Sequence, residues 1–238
     1  MATVSAMGSF CTNITLIGAD PAAAEAHLLA VGRAAYLGTW RNHTVVYDEV
    51  GEAQDGSHAA LAAELSDVLG CVSLASLNHD DDIVYLQVFR RGQSLGEFNS
   101  APDYFDDEDG AGGATRGSSD GVGSFALGDL VDVDERATAE PDAPDAVVDP
   151  GTVTAGPSRW ALGLDAAALV RVVGHGDPAR LAAVAAADEV FARDLHHAMV
   201  TELGLPAAAC GLGFTYLSNG ELPDDADDGG LHLVTTPD

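Results

Sequence analysis

Residues Cys71 to Ser100 read CVSLASLNHDDDIVYLQVFRRGQSLGEFNS, and the fold turns on how that stretch is parsed. Cys71–Leu77 and Ile83–Phe89 are rich in β-branched, aromatic and other apolar residues, as strands are. The polar residues between them suit a tight reversal. Arg91-Gly92 marks a second reversal into a third strand, Ser94–Phe98. Ile83–Phe89 is apolar at nearly every position rather than alternately, which predicts a central strand covered on both faces. The stretch is therefore a three-stranded meander with an acidic knot, Asn78-His79-Asp80-Asp81-Asp82, at its first turn.

On the N-terminal side, Thr12–Ile17 alternates and predicts a strand. Asp20-Pro21 is a helix start, with Asp20 as N-cap and Pro21 at the first helical position. Leu28, Val31 and Ala35 give that helix an apolar stripe over Pro21–Leu37, with Gly38 as its stop. His43–Val50 is a second strand. Ser57 is read as the N-cap of a helix over Ser57–Leu69, whose Leu61, Leu65, Val68 and Leu69 fall on one face. Two helices before a meander predict an α+β fold: a mixed or antiparallel sheet with helices packed on it, on one face.

On the C-terminal side the pattern dissolves from Ala101 to Ser158. Asp, Gly, Ser, Pro and Ala dominate there, and such a segment buries too little to offset the entropy of ordering. Asp106–Gly123 and Thr138–Gly156 read as mobile linkers around a possible short element at Phe125–Val133. The alternative is an ordered acidic wrap over the core. The last third is helical: Asp165–Val173, then Asp177-Pro178 through Ala187, then a helix on which Phe191, Leu195, Met199 and Leu203 step by four until Gly204 and Pro206. Cys210–Pro223 reads as a turn and strand, and Asp224–Asp238 as frayed around a short LHLV segment. The expected organisation is a sheet region at 1–105, an acidic linker or loop at 106–158, and a helical region at 159–238 docked on the same core.

Charge bounds the function. Thirty-eight acids stand against ten bases, all of them Arg, for a net charge of −28. Residues 1–100 hold 12 acids and 4 Arg, 101–158 hold 14 and 2, and 159–238 hold 12 and 4, so the excess runs through the whole chain. Phosphate-backbone binding needs clustered cations and is excluded on this balance, as is attraction to anionic membranes. Two readings compete: a solubilising, strongly hydrated surface suited to high salt, and an acidic face aimed at a basic protein partner.

Cys11, Cys71 and Cys210 are odd in number and far apart, neither a disulfide framework nor a metal motif. The first residues lack a basic segment and a clean apolar run, and nothing approaches membrane-spanning length, so the expected location is cytoplasmic. Walker, dinucleotide-binding, GxSxG and HExxH motifs are absent from the sequence, and no cofactor or metal is expected.

Three acidic groups are candidate sites. Asn78, His79, Asp80, Asp81 and Asp82 combine carboxylates with an imidazole, yet adjacent side chains in a tight turn diverge and do not make a cation cage. They read as an acidic hairpin turn, with a partner contact as the functional alternative. Asp103 and Tyr104, with Phe105, lie just past the third strand, as a recognition patch or as a latch pinning the linker. Asp48 and Glu49, with Asp55, flank the second helix. Were the three to meet, paired carboxylates could do acid–base work. His196-His197 reads as an exposed helical pair and Cys210 as a small buried thiol.

The order Tyr47-Asp48-Glu49…Gln54-Asp55, Asn78–Asp82, Phe98-Asn99-Ser100…Asp103-Tyr104-Phe105 and Tyr216-Leu217…Gly220-Glu221-Leu222-Pro223 resembles a group of bacterial hypothetical proteins, over 47–106 and 177–223. That resemblance implies no activity. The expectation is a non-enzymatic acidic protein that binds a macromolecular partner. The alternatives are a hydrolase-like enzyme using the clustered carboxylates and an immunity-type inhibitor of a basic enzyme.

Overall fold

A computed structural model describes residues 10–102, 158–187, 191–222 and 230–235; the expected linkers and the Phe125–Val133 element lie outside them. The first part of the chain runs β1 (Cys11–Ile17), α1 (Pro21–Ala30), β2 (Ala35–Trp40), β3 (His43–Asp48), a 3-10 turn (Val50–Ala53), α2 (Ser57–Val68), β4 (Val72–His79), β5 (Ile83–Arg90) and β6 (Gln93–Asn99). The later part adds β7 (Trp160–Ala161), α3 (Ala166–Val173), α4 (Pro178–Ala185), α5 (Ala192–Glu202), a 3-10 turn (Ala207–Ala209), α6 (Phe214–Ser218) and β8 (His232–Val234). The strands form one sheet in the order β7-β6-β5-β4-β1-β3-β2-β8. All its pairings are antiparallel, so of the expected mixed or antiparallel sheet the second form is found.

The meander is built by its turns. At the first, Asp80 and Asp81 take left-handed conformations (φ 52° and 59°) and the Asp82 N–H donates to the His79 carbonyl at 3.0 Å. At the second, Arg91 and Gly92 do the same (φ 53° and 75°) between the paired Arg90 and Gln93. Left-handed residues at both central positions match the twist of the flanking strands, which places β4, β5 and β6 side by side.

The first helix stops earlier than its apolar stripe predicts. Gly32 turns left-handed (φ +71°), and the Gly32 and Arg33 N–H groups return to the Leu29 and Leu28 carbonyls, a Schellman closure. Ala35–Leu37, expected in the helix, instead opens β2. Gly38 is no cap but a strand residue under the Trp40 ring, where a Cβ would come within 2.4 Å of that ring. In α2 the N-cap is Gly56 rather than Ser57, and Val68 points outward while Leu61 and Leu65 are buried.

The two sheet faces are covered by different parts of the chain. Ile14, Leu16, Leu37, Val46, Ala75 and Phe89 meet Leu28 of α1 and Ala62 and Leu65 of α2. Val45, Tyr47, Leu74, Leu86, Val88 and Phe98 meet Leu169, Leu181, Leu195, Met199 and Leu203 of the later helices. Helices thus lie on both faces, correcting the one-face expectation, and the helical region docks on the shared sheet as expected. In place of the strand expected within Cys210–Pro223, the described residues form the short helix α6. The LHLV segment, around which fraying was expected, supplies β8, paired with β2.

Candidate functional site

One end of the sheet gathers the polar residues. Cys11 at the start of β1 stands opposite Asn78 near the end of β4, and His79 stands opposite Ile83 at the start of β5. Tyr85 stands opposite Asn99 at the end of β6. The antiparallel order therefore brings three of the four motifs of the resemblance, the Asp48, Asn78–Asp82 and Asn99–Ser100 groups, to the same end. The fourth reaches it through Tyr216, whose hydroxyl is held above its ordinary pKa chiefly by burial, with Cys11 and, less strongly, Asp81 adding to the rise.

The knot is a junction as much as a surface. Asn78 is fully buried and its Oδ1 meets His196 Nδ1 of α5 at 2.9 Å. The Asp81 carbonyl accepts from the Ala192 N–H at 2.6 Å, so the turn receives the first turn of α5. Gln54 ties in the 3-10 turn: its Nε2 donates to the Asn78 carbonyl (3.0 Å) and its Oε1 accepts from His79 Nδ1 (2.8 Å). Phe10 stands edge-on to the His79 ring, with centroids 4.9 Å apart. Asp80 and Asp82 face solvent. Phe10 and Phe191, 43% and 54% exposed, are on the same end of the molecule.

Beneath the turn is a neutral polar seam. Facing an amide oxygen, His196 Nδ1 is the protonated nitrogen, which leaves Nε2 an acceptor. Burial lowers the His196 pKa to about 4, with the neighbouring His197 adding to the effect. Asn13 lies on the same face, directly opposite Ser76, and donates through Nδ2 to the Leu212 carbonyl at 3.2 Å. Tyr47 donates to the Ala208 carbonyl at 2.6 Å. Asn13 Oδ1, Thr15 Oγ1, Ser76 Oγ, Asn78 Nδ2 and His196 Nε2 are buried there without a protein hydrogen-bond partner.

A cysteine, a histidine and an asparagine on adjoining strands and helix invite a nucleophile reading. Thiol chemistry runs through the thiolate, however, and burial pushes the Cys11 pKa up, with Cys210 and then Glu52 adding to the rise. Cys11 is 2% exposed, so substrate has no approach to it in this conformation.

The third acidic group is divided. Asp48 is buried on the α1–α2 face, where Arg33 holds it through two nitrogens (3.0 and 2.6 Å) and the Gly51 N–H donates at 2.7 Å. Burial still raises the Asp48 pKa, outweighing the pull of Arg33. Glu49 is exposed beside it. Asp103 and Tyr104 lie outside the described residues. Asp48 is held by Arg33 on the α1–α2 face, His79 is bonded to Gln54, and Asp81 meets α5 through its backbone carbonyl, so the three groups do not gather into the carboxylate centre that acid–base work requires. Among the described residues no group of three or more His, Cys, Asp or Glu side chains is placed to hold a metal. A shallow groove of about 250 Å³ lies elsewhere, lined by Val31, Arg33, Ser57, Ala60, Leu61 and Glu64.

Of the pair expected to be exposed on the helix, His197 is exposed but His196 is buried, and sequence reasoning gave Asn13 and Cys11 no role here. For His196 the signal was present: it sits with Ala192, Leu195, Met199 and Val200 at the spacing of a buried helical stripe, while Asp194 and His197 are exposed. For Asn13 and Cys11 only the three-dimensional pairing shows the role. Among the described residues no helix is long and apolar enough to cross a membrane. The chain matches no protein-family model, no curated protein and no solved structure.

Proposed function

We propose that this chain is a non-enzymatic protein that binds a basic protein partner through the outer surface of the acidic turn. The observation that carries the reading is the pairing of exposed Phe10 and Phe191 with the solvent-facing Asp80 and Asp82. Aromatic anchors beside charged groups are the composition of interface centres. The mounting is rigid, because the turn is bonded to α5 and to the 3-10 turn. A net charge of −28 with no lysine gives the long-range attraction that speeds encounter with a cationic surface. An immunity-type inhibitor of a basic enzyme is one form of this activity. The enzyme alternative has less support, since Asp48 and His79 are committed to internal contacts and Cys11 is buried.

Capture from native lysate at low and high salt tests the reading, with wild type compared with the Asp80→Asn/Asp82→Asn/Phe191→Ser variant. A basic protein retained at low salt, weakened by high salt and reduced at least tenfold by the variant is the expected result. Identical retention by the variant, or purified protein carrying a small molecule and no protein partner, overturns it. Unchanged circular dichroism of the variant separates loss of contact from loss of fold.

A further inference from the structure

We propose that the groove between α1 and α2 binds an ω-amino acid, a zwitterion with its ammonium and carboxylate at opposite ends of a short aliphatic chain. Two pieces of local structure build it. The Schellman closure after α1 turns the chain at Gly32 and brings Val31 and Arg33 to one wall. The other wall is a single face of α2, where Ser57, Ala60, Leu61 and Glu64 fall at i, i+3, i+4 and i+7. No residue of the acidic turn lines the groove, so this site is independent of the partner surface.

The lining is ordered by charge. At one end is Arg33, whose Nε and Nη2 hold Asp48 at 3.0 and 2.6 Å. Those bonds fix the guanidinium and leave Nη1 with no hydrogen-bond partner among the described residues. Asp48 also takes the Gly51 N–H, and Ser57 Oγ donates to the Val50 carbonyl at 3.1 Å, so Arg33 and Ser57 meet at the same 3-10 turn. At the other end is Glu64, two helical turns beyond Ser57, or about 10 Å along the axis. Its Oε1 meets His27 Nε2 at 2.9 Å and its Oε2 remains for a ligand. Helical side chains lean toward the N-terminus, which carries the Glu64 carboxylate back over the groove. Between the two ends lie Val31, Ala60 and Leu61, with Val31 41% exposed.

That order of cation, apolar floor and anion is the complement of a carboxylate, a methylene chain and an ammonium. The volume of about 250 Å³ is below the range of sites for drug-sized ligands and suits a molecule of this size. Net charge narrows the choice. A monoanion is repelled by a chain of net charge −28, and Arg33 already shares its charge with Asp48. A simple cation is attracted to the whole acidic surface and leaves Arg33 unmatched. A zwitterion carries no net charge, so only the two ends of the groove select it. Because the groove is shallow, the affinity is on the order of millimolar.

The test follows amide and arginine side-chain NMR resonances of the full chain through titrations with 5-aminopentanoate, its isomer 2-aminopentanoate, pentanoate and pentylamine. Saturable shifts at Val31, Arg33, Ala60 and Glu64 are expected with 5-aminopentanoate, and the other three should bind roughly fivefold or more weakly. Ala60→Phe fills the groove and should abolish the shifts. Glu64→Gln should weaken 5-aminopentanoate to a similar degree and leave pentanoate unchanged. Unmoved resonances of Leu195 and Met199, on the opposite face of the sheet, show that each variant keeps its fold. Shifts that scatter over the surface or fail to saturate overturn the proposal, as does undiminished binding to Ala60→Phe. Equal binding of pentylamine reduces the site to attraction by the acidic surface, and equal binding of 2-aminopentanoate removes the two-ended recognition; either result overturns it as well.

Discussion

The two faces of the sheet are both packed with apolar side chains and differ in how they bury polar groups. The α1–α2 face closes with helices drawn from the first 70 residues and buries a charge, Asp48, against Arg33. The opposite face receives helices from beyond residue 160, and its buried polar contacts are neutral: Asn78 to His196, Asn13 to the Leu212 carbonyl, Tyr47 to the Ala208 carbonyl. A local crossover places Arg33 beside Asp48 whatever else folds, so a charge pair can be buried there without risk of missing its partner. A distant segment that must find its register is better served by amide and hydroxyl groups, whose cost when mispaired is a hydrogen bond rather than an ion. Each face nonetheless buries histidine, His58 of α2 on one and His196 of α5 with His43 of β3 on the other, of which His58 and His196 are the two most deeply buried.

The largest expected effect uses those two histidines. Burial lowers the pKa of each to about 4, from an ordinary value near 6.5. Between those values the unfolded chain binds protons that the folded chain refuses, so stability is full above about pH 6.5 and declines as pH falls toward 4. The decline is roughly 3 kcal/mol per histidine at most. Asp48 and Glu52, whose pKa values burial raises, act in the opposite sense. Their contribution is fully present below the unfolded carboxylate range and is lost as pH rises through their folded values, so they offset part of the slope near its acid end. Urea unfolding at pH 7, 6 and 5 checks this. His58→Gln and His196→Gln should each remove a large part of the slope, with His43, whose pKa burial also lowers, supplying a further share; a wild-type profile flat over that range would refute neutral burial on both faces.

Next in size is the charge pair. Arg33→Leu leaves the carboxylate of Asp48 buried with only the Gly51 N–H, a change expected to cost about 3–5 kcal/mol. Arg33→Leu with Asp48→Leu removes both charges, so it should recover much of that loss. Equal destabilisation by the single and the double variant would mean that Arg33 acts through packing and not through its charge.

The sequence shows the first face far better than the second. Ser57–Val68 announces itself through the stripe of Leu61 and Leu65, and the meander through Arg91-Gly92 and the run Ile83–Phe89, because period and turn chemistry are local properties. β2 escaped because Ala35–Leu37 continues the apolar content of α1, and only the Schellman closure at Val31-Gly32-Arg33 separates them. β7 escaped because it is two residues long and exists only against β6. There Gly96 (φ +134°) gives the backbone room for Leu164, which would meet a Cβ at 2.5 Å. The acidic turn was legible as a turn but not as a support, since what it supports arrives more than 100 residues later. The seam was the least legible part: Asn13, Ser76, Asn78 and His196 look like ordinary strand and helix residues until the register sets them facing one another.

The smallest expected effect decides whether that seam specifies the docking of the second face. Asn78→Ala removes the amide that meets His196 Nδ1 and leaves a buried imidazole N–H without a partner, at a cost of about 1–3 kcal/mol. His196→Leu keeps the side chain apolar and strands the Asn78 oxygen instead, with a similar cost. In the double variant neither group is left unpaired, so the losses should fall short of additive by about 1 kcal/mol. Additive losses would break the comparison, for they would mean that the two residues contribute to packing independently. A coupling confined to stability still leaves open how α5 is held, so the Ala192 amide is the second readout. Its hydrogen bond to the Asp81 carbonyl slows amide exchange, and because that carbonyl is backbone, Asn78→Ala does not remove it directly. Faster exchange at Ala192 in Asn78→Ala than in an equally destabilised Leu65→Ala variant would show that the seam holds α5 against the turn. Equal exchange in both would mean that the apolar contacts of Leu195 and Met199 fix the helix without it.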